Sequence, residues 1–123
     1  SMVEVQSYKD LRVWKQARIF VKTVYLITKK FPKEEMFSLT SQIRRSVISI
    51  PSNIAEGYSR HGLKDYINFI SIAFGSAAEL ETQLLLASDL GYITTEECDD
   101  LLQELLHIQK MLYKLRDSLK AKL

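Results

Sequence analysis

A chain of 123 residues that is 46% hydrophobic and 26% charged has apolar material for one core and too little length for two domains. Its formal net charge of +2 excludes a strongly basic tail as the whole explanation, and its single cysteine excludes a disulfide framework and every multi-cysteine zinc module. No apolar run approaches the roughly 20 residues that span a bilayer, and no signal-peptide pattern opens the chain. A small soluble cytoplasmic protein is expected, with no membrane contact, no cofactor and no metal.

Glycine and proline are scarce: Pro32, Pro51, Gly57, Gly62, Gly75 and Gly91. The long stretches between them carry apolar residues at helical spacing, with no hairpin signal and no alternating strand pattern. The first predicted helix covers about residues 8–31, capped by Ser7 and ended by Phe31-Pro32, with Trp14, Ala17, Val21, Val24, Tyr25 and Thr28 on one face. The second covers about 39–60, with Ser38 as cap and Leu39, Ile43, Val47, Ile50 and Ile54 as its stripe. The third, about 63–90, ends at Gly91, where a left-handed residue closes a helix. Its core side runs through Tyr66, Phe69, Ile70, Ala73, Ala77, Leu80 and Leu84. The fourth, about 95–121, opens on Thr94 and Glu97, a capping box, and buries Leu101, Leu105, Ile108, Leu112, Leu115 and Leu119. Short loops between long helices make neighbours antiparallel. The expected fold is all-α: one antiparallel up-down-up-down four-helix bundle over residues 1–123.

Two helices carry more apolar surface than a bundle needs. Ile67, Phe74 and Leu85 on the third, with Leu102, Leu106 and Tyr113 on the fourth, lie off the core stripes. They read either as a generously packed core or, with the greater weight, as an interface between subunits of a homo-oligomer.

Charge is divided along the chain. Residues 1–64 hold 12 Lys/Arg against 5 Asp/Glu, a net +7, and residues 65–123 hold 5 against 10, a net −5. On the first helix Lys15, Arg18, Lys22 and Lys29 fall within about 60° of one another by the helical period, and Arg60 and Lys64 flank the turn that shares one end with this helix. Such a face attracts phosphate or is simply solvated; both readings stand.

Arg44 and Arg45 fall opposite Glu79 and Glu81 when the second and third helices fold on one another, so an interhelical arginine–carboxylate pair is expected. Pro51 lies inside a helical pattern and strips the Val47 carbonyl of its usual donor. Ser46, Ser49, Ser52 and Asn53 are placed to repair the loss. Asn53, Ser52 and Glu56 also outline a small polar pocket, although a repaired kink is the favoured reading. Trp14 is expected near this kink.

The run Leu39-Thr40-Ser41-Gln42-Ile43-Arg44-Arg45-Ser46, followed by Ser49-Ile50-Pro51-Ser52-Asn53-Ile54-Ala55-Glu56-Gly57, resembles the signature of the bacterial four-helix bundle proteins named for open reading frames in intervening sequences of 23S rRNA genes. Lys29 to Glu35, Ala78 to Leu84 and Leu90-Gly91-Tyr92 extend the resemblance over about residues 8–119. It implies an antiparallel bundle that assembles as a homopentamer and supplies no catalytic residues. A related bundle, the accessory protein of diversity-generating retroelements, is likewise pentameric and binds nucleic acid beside a reverse transcriptase.

Three functions compete. An oligomer binding structured RNA or another nucleic acid would use Lys15, Arg18, Lys22, Lys29, Arg60 and Lys64 on phosphates, by charge and shape, because no exposed-aromatic pattern for base stacking is evident. An adaptor ring would hold a protein partner, such as a polymerase-type enzyme. An enzyme is the weakest: Glu56, Arg60, His61 and Asp65 cluster at one turn, but nothing specifies a nucleophile, a metal or a phosphate loop.

Overall fold

Local signals in the chain set the helix ends. The computed structural model describes residues 5–123 and contains four helices: α1 (Arg12–Thr28), α2 (Leu39–Tyr58), α3 (Leu63–Asp89) and α4 (Thr95–Lys120). Ser7 does form a capping box, its hydroxyl accepting from the Lys9 N–H at 3.1 Å while Asp10 accepts from the Ser7 N–H at 3.2 Å. What it caps, however, is a short 3-10 turn over Tyr8–Asp10. Leu11 is extended (ψ 126°), so α1 starts at Arg12 rather than at Tyr8. It also stops earlier than expected, at Thr28, whose carbonyl accepts from the Phe31 N–H at 3.1 Å in a closing turn. The other three helices start at the expected residues and end one or two residues short of the expected positions.

At the start of α4, the Thr94 N–H donates to Glu97 Oε1 at 2.9 Å and the Glu97 N–H to Thr94 Oγ1 at 3.0 Å. Gly91 adopts φ +76°, and the N–H groups of Gly91 and Tyr92 turn back to the carbonyls of Ser88 and Ala87 at 3.0 and 2.9 Å. Only glycine takes that conformation without a Cβ penalty, so α3 ends there.

Contacts between helices run in opposite senses along each neighbouring pair. The end of α1 meets the start of α2 through Thr28 and Arg44, while Trp14 near the start of α1 shares a groove with Pro51 and Ala55 late in α2. Tyr58 meets Tyr66 across the α2–α3 turn, and Ser49 meets Ser76 further along. Phe74 of α3 lies beneath Arg116 of α4, and Leu84 accepts from Cys98. Just past the end of α1, Lys30 pairs with Glu97 at the start of α4. The four helices are thus consecutively antiparallel around one core. Helices α2 and α3 make the most extensive pair, and α1 and α4 the slightest of the neighbouring pairs.

The core contains Phe20, Val24, Ile43, Val47, Ile50, Ile54, Ile70, Leu80, Leu84, Leu105, Ile108 and Leu112, each almost wholly removed from water. On α1 the buried stripe is Val13, Ala17, Phe20, Val24 and Thr28. It is rotated from the expected one: Trp14, Val21 and Tyr25 lie at its edge, only partly buried. Both stripes satisfy helical spacing, and packing chose the one that buries Phe20. Tyr66 and Phe69 of α3 and Leu115 of α4 are likewise partly buried.

Glycine is required at the α2–α3 seam. A Cβ on Gly57 would sit 2.8 Å from Phe69 Cβ and 3.2 Å from the Tyr66 carbonyl oxygen. Partial burial at this seam pushes the Tyr66 phenol up to about 12, with Tyr58 a lesser contributor. Helix α3 is long and apolar enough, by length and composition, to cross a membrane, contrary to the expectation that no segment approaches that mark. Here it packs against both α2 and α4, burying Ile70, Ala73, Ala77, Leu80 and Leu84.

Pro51 is accommodated within a continuous α2. The expected repair of the Val47 carbonyl is not what the side chains do. Asn53 Nδ2 donates to the Ser49 carbonyl at 2.8 Å and to Ser49 Oγ at 2.9 Å, and that hydroxyl pairs with Ser76 Oγ at 2.7 Å. This polar chain fastens α2 to α3 beside the proline.

Candidate nucleic-acid interface

The six basic residues expected to share a face fall into three groups. Lys15, Arg18 and Lys22 line one shallow groove on α1 together with Trp14 and Ile19, and all three cations are exposed. None of them forms an ion pair with a described residue. Lys29 is also exposed but lies about 21 Å along the helix axis from Lys15, at 1.5 Å per residue over 14 residues. Arg60 and Lys64 lie around the α2–α3 turn. Arg60 is the most committed of the six, pairing with Glu56 at 3.6 Å and lying 4.9 Å over the Phe69 ring.

Trp14 gives this groove a feature that the sequence reading denied. It is partly exposed, its edge meets Tyr8 at 5.2 Å between centroids, and Arg18 lies 5.5 Å over its ring. Its periodicity assigned it to the core, and only the rotated register of α1 brings it to the surface. An aromatic face interleaved with three cations suits a nucleic-acid backbone with an unstacked base beside it. Lys15 also borders a second groove, between α1 and α4, which Arg12, His107 and Lys114 line together with Asp10, Leu11, Met111 and Leu115. Position along the chain concealed that arrangement, because His107 and Lys114 belong to the acidic half.

The arginine pair differs from expectation. Glu79 and Glu81 are exposed, and neither forms an ion pair with Arg44 or Arg45 among the described residues. Arg44 turns to α1 instead: its Nε donates to Thr28 Oγ1 at 3.0 Å and its guanidinium lies 4.6 Å over the Tyr25 ring. The reason is geometric, since position 44 is directed into the α1–α2 seam. Glu81 borders a groove with Asp99, Asp100, Leu102 and Leu106, so the acidic charge of α3 and α4 accumulates on its own face. Glu56 lies apart from the groove around Asn53, which Tyr25, Arg44, Arg45, Ser49 and Ser52 line together with Met36 and Ile48.

Of the six apolar residues assigned to an interface, Leu85, Leu106 and Tyr113 are exposed, at 46%, 48% and 57%. Ile67, Phe74 and Leu102 are partly buried against the core, and Arg116 covers Phe74 and Tyr113 at 4.9 and 5.8 Å. Exposed apolar surface is not confined to α3 and α4. Ile19 and Leu26 of α1 are exposed too, and Phe37, between α1 and α2, is 95% exposed.

One end of the bundle is tied by polar contacts between its halves. The Tyr92 hydroxyl donates to Glu35 Oε2 at 2.6 Å, and Phe31 packs on the Tyr92 ring at 5.4 Å. The Tyr92 and Ser38 hydroxyls hold the Glu35 carboxyl below its ordinary value, and the same bond raises the Tyr92 phenol. Lys30, then the Thr94 N–H, lower the Glu97 carboxyl. Cys98 is buried, its thiol raised by desolvation. Among the described residues, no three His, Cys, Asp or Glu side chains converge as a metal-ligand set.

The description of the 23S rRNA-intervening sequence proteins matches residues 9–114, most of the chain. The protein belongs to that family. A solved structure from Bacteroides thetaiotaomicron, a protein of unknown function from the S23 ribosomal protein family, shares 28% identity at a TM-score of 0.77, covering 85% of this chain and 97% of that one. No curated protein matches the sequence.

Proposed function

We propose that this family member is a non-enzymatic homo-oligomer that binds structured RNA through the α1 groove. The observation that carries the reading is the set of Lys15, Arg18 and Lys22, exposed, without ion-pair partners among the described residues, and gathered around Trp14. Cations left unneutralised by the fold are available to displace the counterions of a phosphate backbone. The family's association with 23S rRNA intervening sequences makes RNA the favoured nucleic acid.

Oligomerisation multiplies a modest groove into a strong one, because each further subunit engages its ligand at a raised effective concentration. Exposed Leu85, Leu106 and Tyr113 support self-association, and the family resemblance implies five subunits. The test is Lys15→Glu combined with Lys22→Glu. The double variant is expected to lose about tenfold or more in affinity for an RNA hairpin. Its log-affinity against log-salt slope should become shallower by about 2, one for each lost phosphate contact. Undiminished binding excludes this face. A protein partner whose capture survives high salt and nuclease would favour the adaptor reading.

A further inference from the structure

The groove between α1 and α2 has a chemistry of its own. Tyr25, Arg44, Arg45, Ser49, Ser52 and Asn53 line it, with no carboxylate on its wall. Arg44 is fixed there in two ways. Its Nε donates to Thr28 Oγ1 at 3.0 Å, and the Thr28 hydroxyl, on a residue only 2% exposed, donates in turn to the Val24 carbonyl at 2.9 Å. Its guanidinium carbon lies 4.6 Å from the centre of the Tyr25 ring. Of the donors, these contacts use Nε alone. The terminal nitrogens of Arg44, and all those of Arg45, have no acceptor among the described residues.

Arg44 is partly buried, and holding its guanidinium in one rotamer without a counter-charge costs side-chain entropy. Arg60, at an exposed position, does have a carboxylate partner in Glu56. At Arg44 the fold supplies rigidity and omits the anion, which is how a preorganised oxyanion site is built. Arg44 and Arg45 line this one groove from successive positions of α2. A phosphate has oxygens enough to accept from both guanidinium groups.

We propose that Arg44 and Arg45 bind a phosphate group, free or carried by a nucleotide, in the α1–α2 groove. This site is distinct from the α1 groove assigned to RNA and does not depend on that reading.

The test is a titration of the full chain with inorganic phosphate, and separately with adenosine 5′-monophosphate, against chloride at matched ionic strength. It is followed by the arginine Nε–H signals in nitrogen–proton correlation spectra. The Arg44 signal is expected to shift saturably with both phosphate compounds and not with chloride. Equal affinity assigns recognition to the phosphate, and tighter nucleotide binding adds a contribution from the nucleoside. Arg45→Gln, at an exposed position, should leave the fold intact and weaken binding about tenfold. Arg44→Lys, which keeps the charge and loses the fork, should weaken it similarly at an unchanged circular dichroism spectrum. Lys15→Glu with Lys22→Glu should bind phosphate as the native chain does. Non-saturating shifts, shifts reproduced by chloride, or full affinity in Arg45→Gln would overturn the site. So would binding lost in the lysine double variant alone.

Discussion

The two halves of this bundle are alike in architecture and opposite in surface. Residues 1–64 carry +7 and residues 65–123 carry −5. Yet among the described residues the halves exchange only one ion pair, Lys30 with Glu97, and the other pair, Arg60 with Glu56, lies within the basic half. Opposite charge along the chain is therefore not consumed by folding. The basic half presents Lys15, Arg18 and Lys22 around Trp14, and the acidic half gathers Glu81, Asp99 and Asp100 around Leu102 and Leu106. Each face therefore retains its own sign of charge at the surface. What joins the halves is mostly apolar, above all the α2–α3 seam.

That seam is where the largest effect is expected. Gly57→Ala places a methyl group 2.8 Å from Phe69 Cβ, an atom anchored close to its backbone, so α2 and α3 must separate. A loss of about 1–3 kcal/mol is predicted for such overpacking, read as a lower urea midpoint. Gly62→Ala and Gly75→Ala, where an added Cβ meets nothing within 4 Å, should show no comparable steric penalty.

The next effect sharpens the contrast between surfaces. Leu106→Glu, at a residue 48% exposed on the acidic face, should reduce the oligomer mass measured by light scattering while leaving the melting temperature nearly unchanged. A variant of native mass would remove Leu106 from the self-association surface. Ile19→Glu on α1 asks the same of the basic half.

The smallest effects belong to the polar ties at the bundle's end. Glu97 and Glu35 have lowered carboxyl values in the folded state, so their contribution is present above the ordinary carboxylate range and disappears as pH falls through the lowered values. Tyr92 is raised, so its contribution is present below the ordinary tyrosine value and is lost as pH rises through the raised one. Urea midpoints measured across acid pH should fall less steeply in Glu97→Gln, and Tyr92→Phe should flatten the alkaline limb. Parallel curves for native and variant chains would show that these ties contribute nothing measurable.

The bundle was legible because its signals are local. The Thr94–Glu97 box, Gly91 and the stripe from Leu101 to Leu112 each declare an end or a face within a few residues. The register of α1 was not, because Val13 and Phe20 compete with Trp14 and Val21 at equal spacing, and only tertiary packing decides between them. Charge could be counted, whereas its partners could not. Folding α2 on α3 sets Arg44 opposite Glu79 and Glu81, but a long side chain at a helix seam can turn to either neighbour, and Thr28 with Tyr25 receives it. The groove that Asp10, Arg12, Lys15, His107 and Lys114 line needed α1 and α4 brought together, a contact that no sequence spacing encodes.

Electrostatic binding of RNA in the basic α1 groove can be measured directly. The direct measurement is fluorescence anisotropy of a structured RNA hairpin and a matched DNA duplex across a salt series, with oligomer mass taken on the same sample. The account predicts a homo-oligomer that prefers the hairpin and whose affinity falls steeply with salt. No binding of the hairpin at low salt, or binding indifferent to salt, would contradict it.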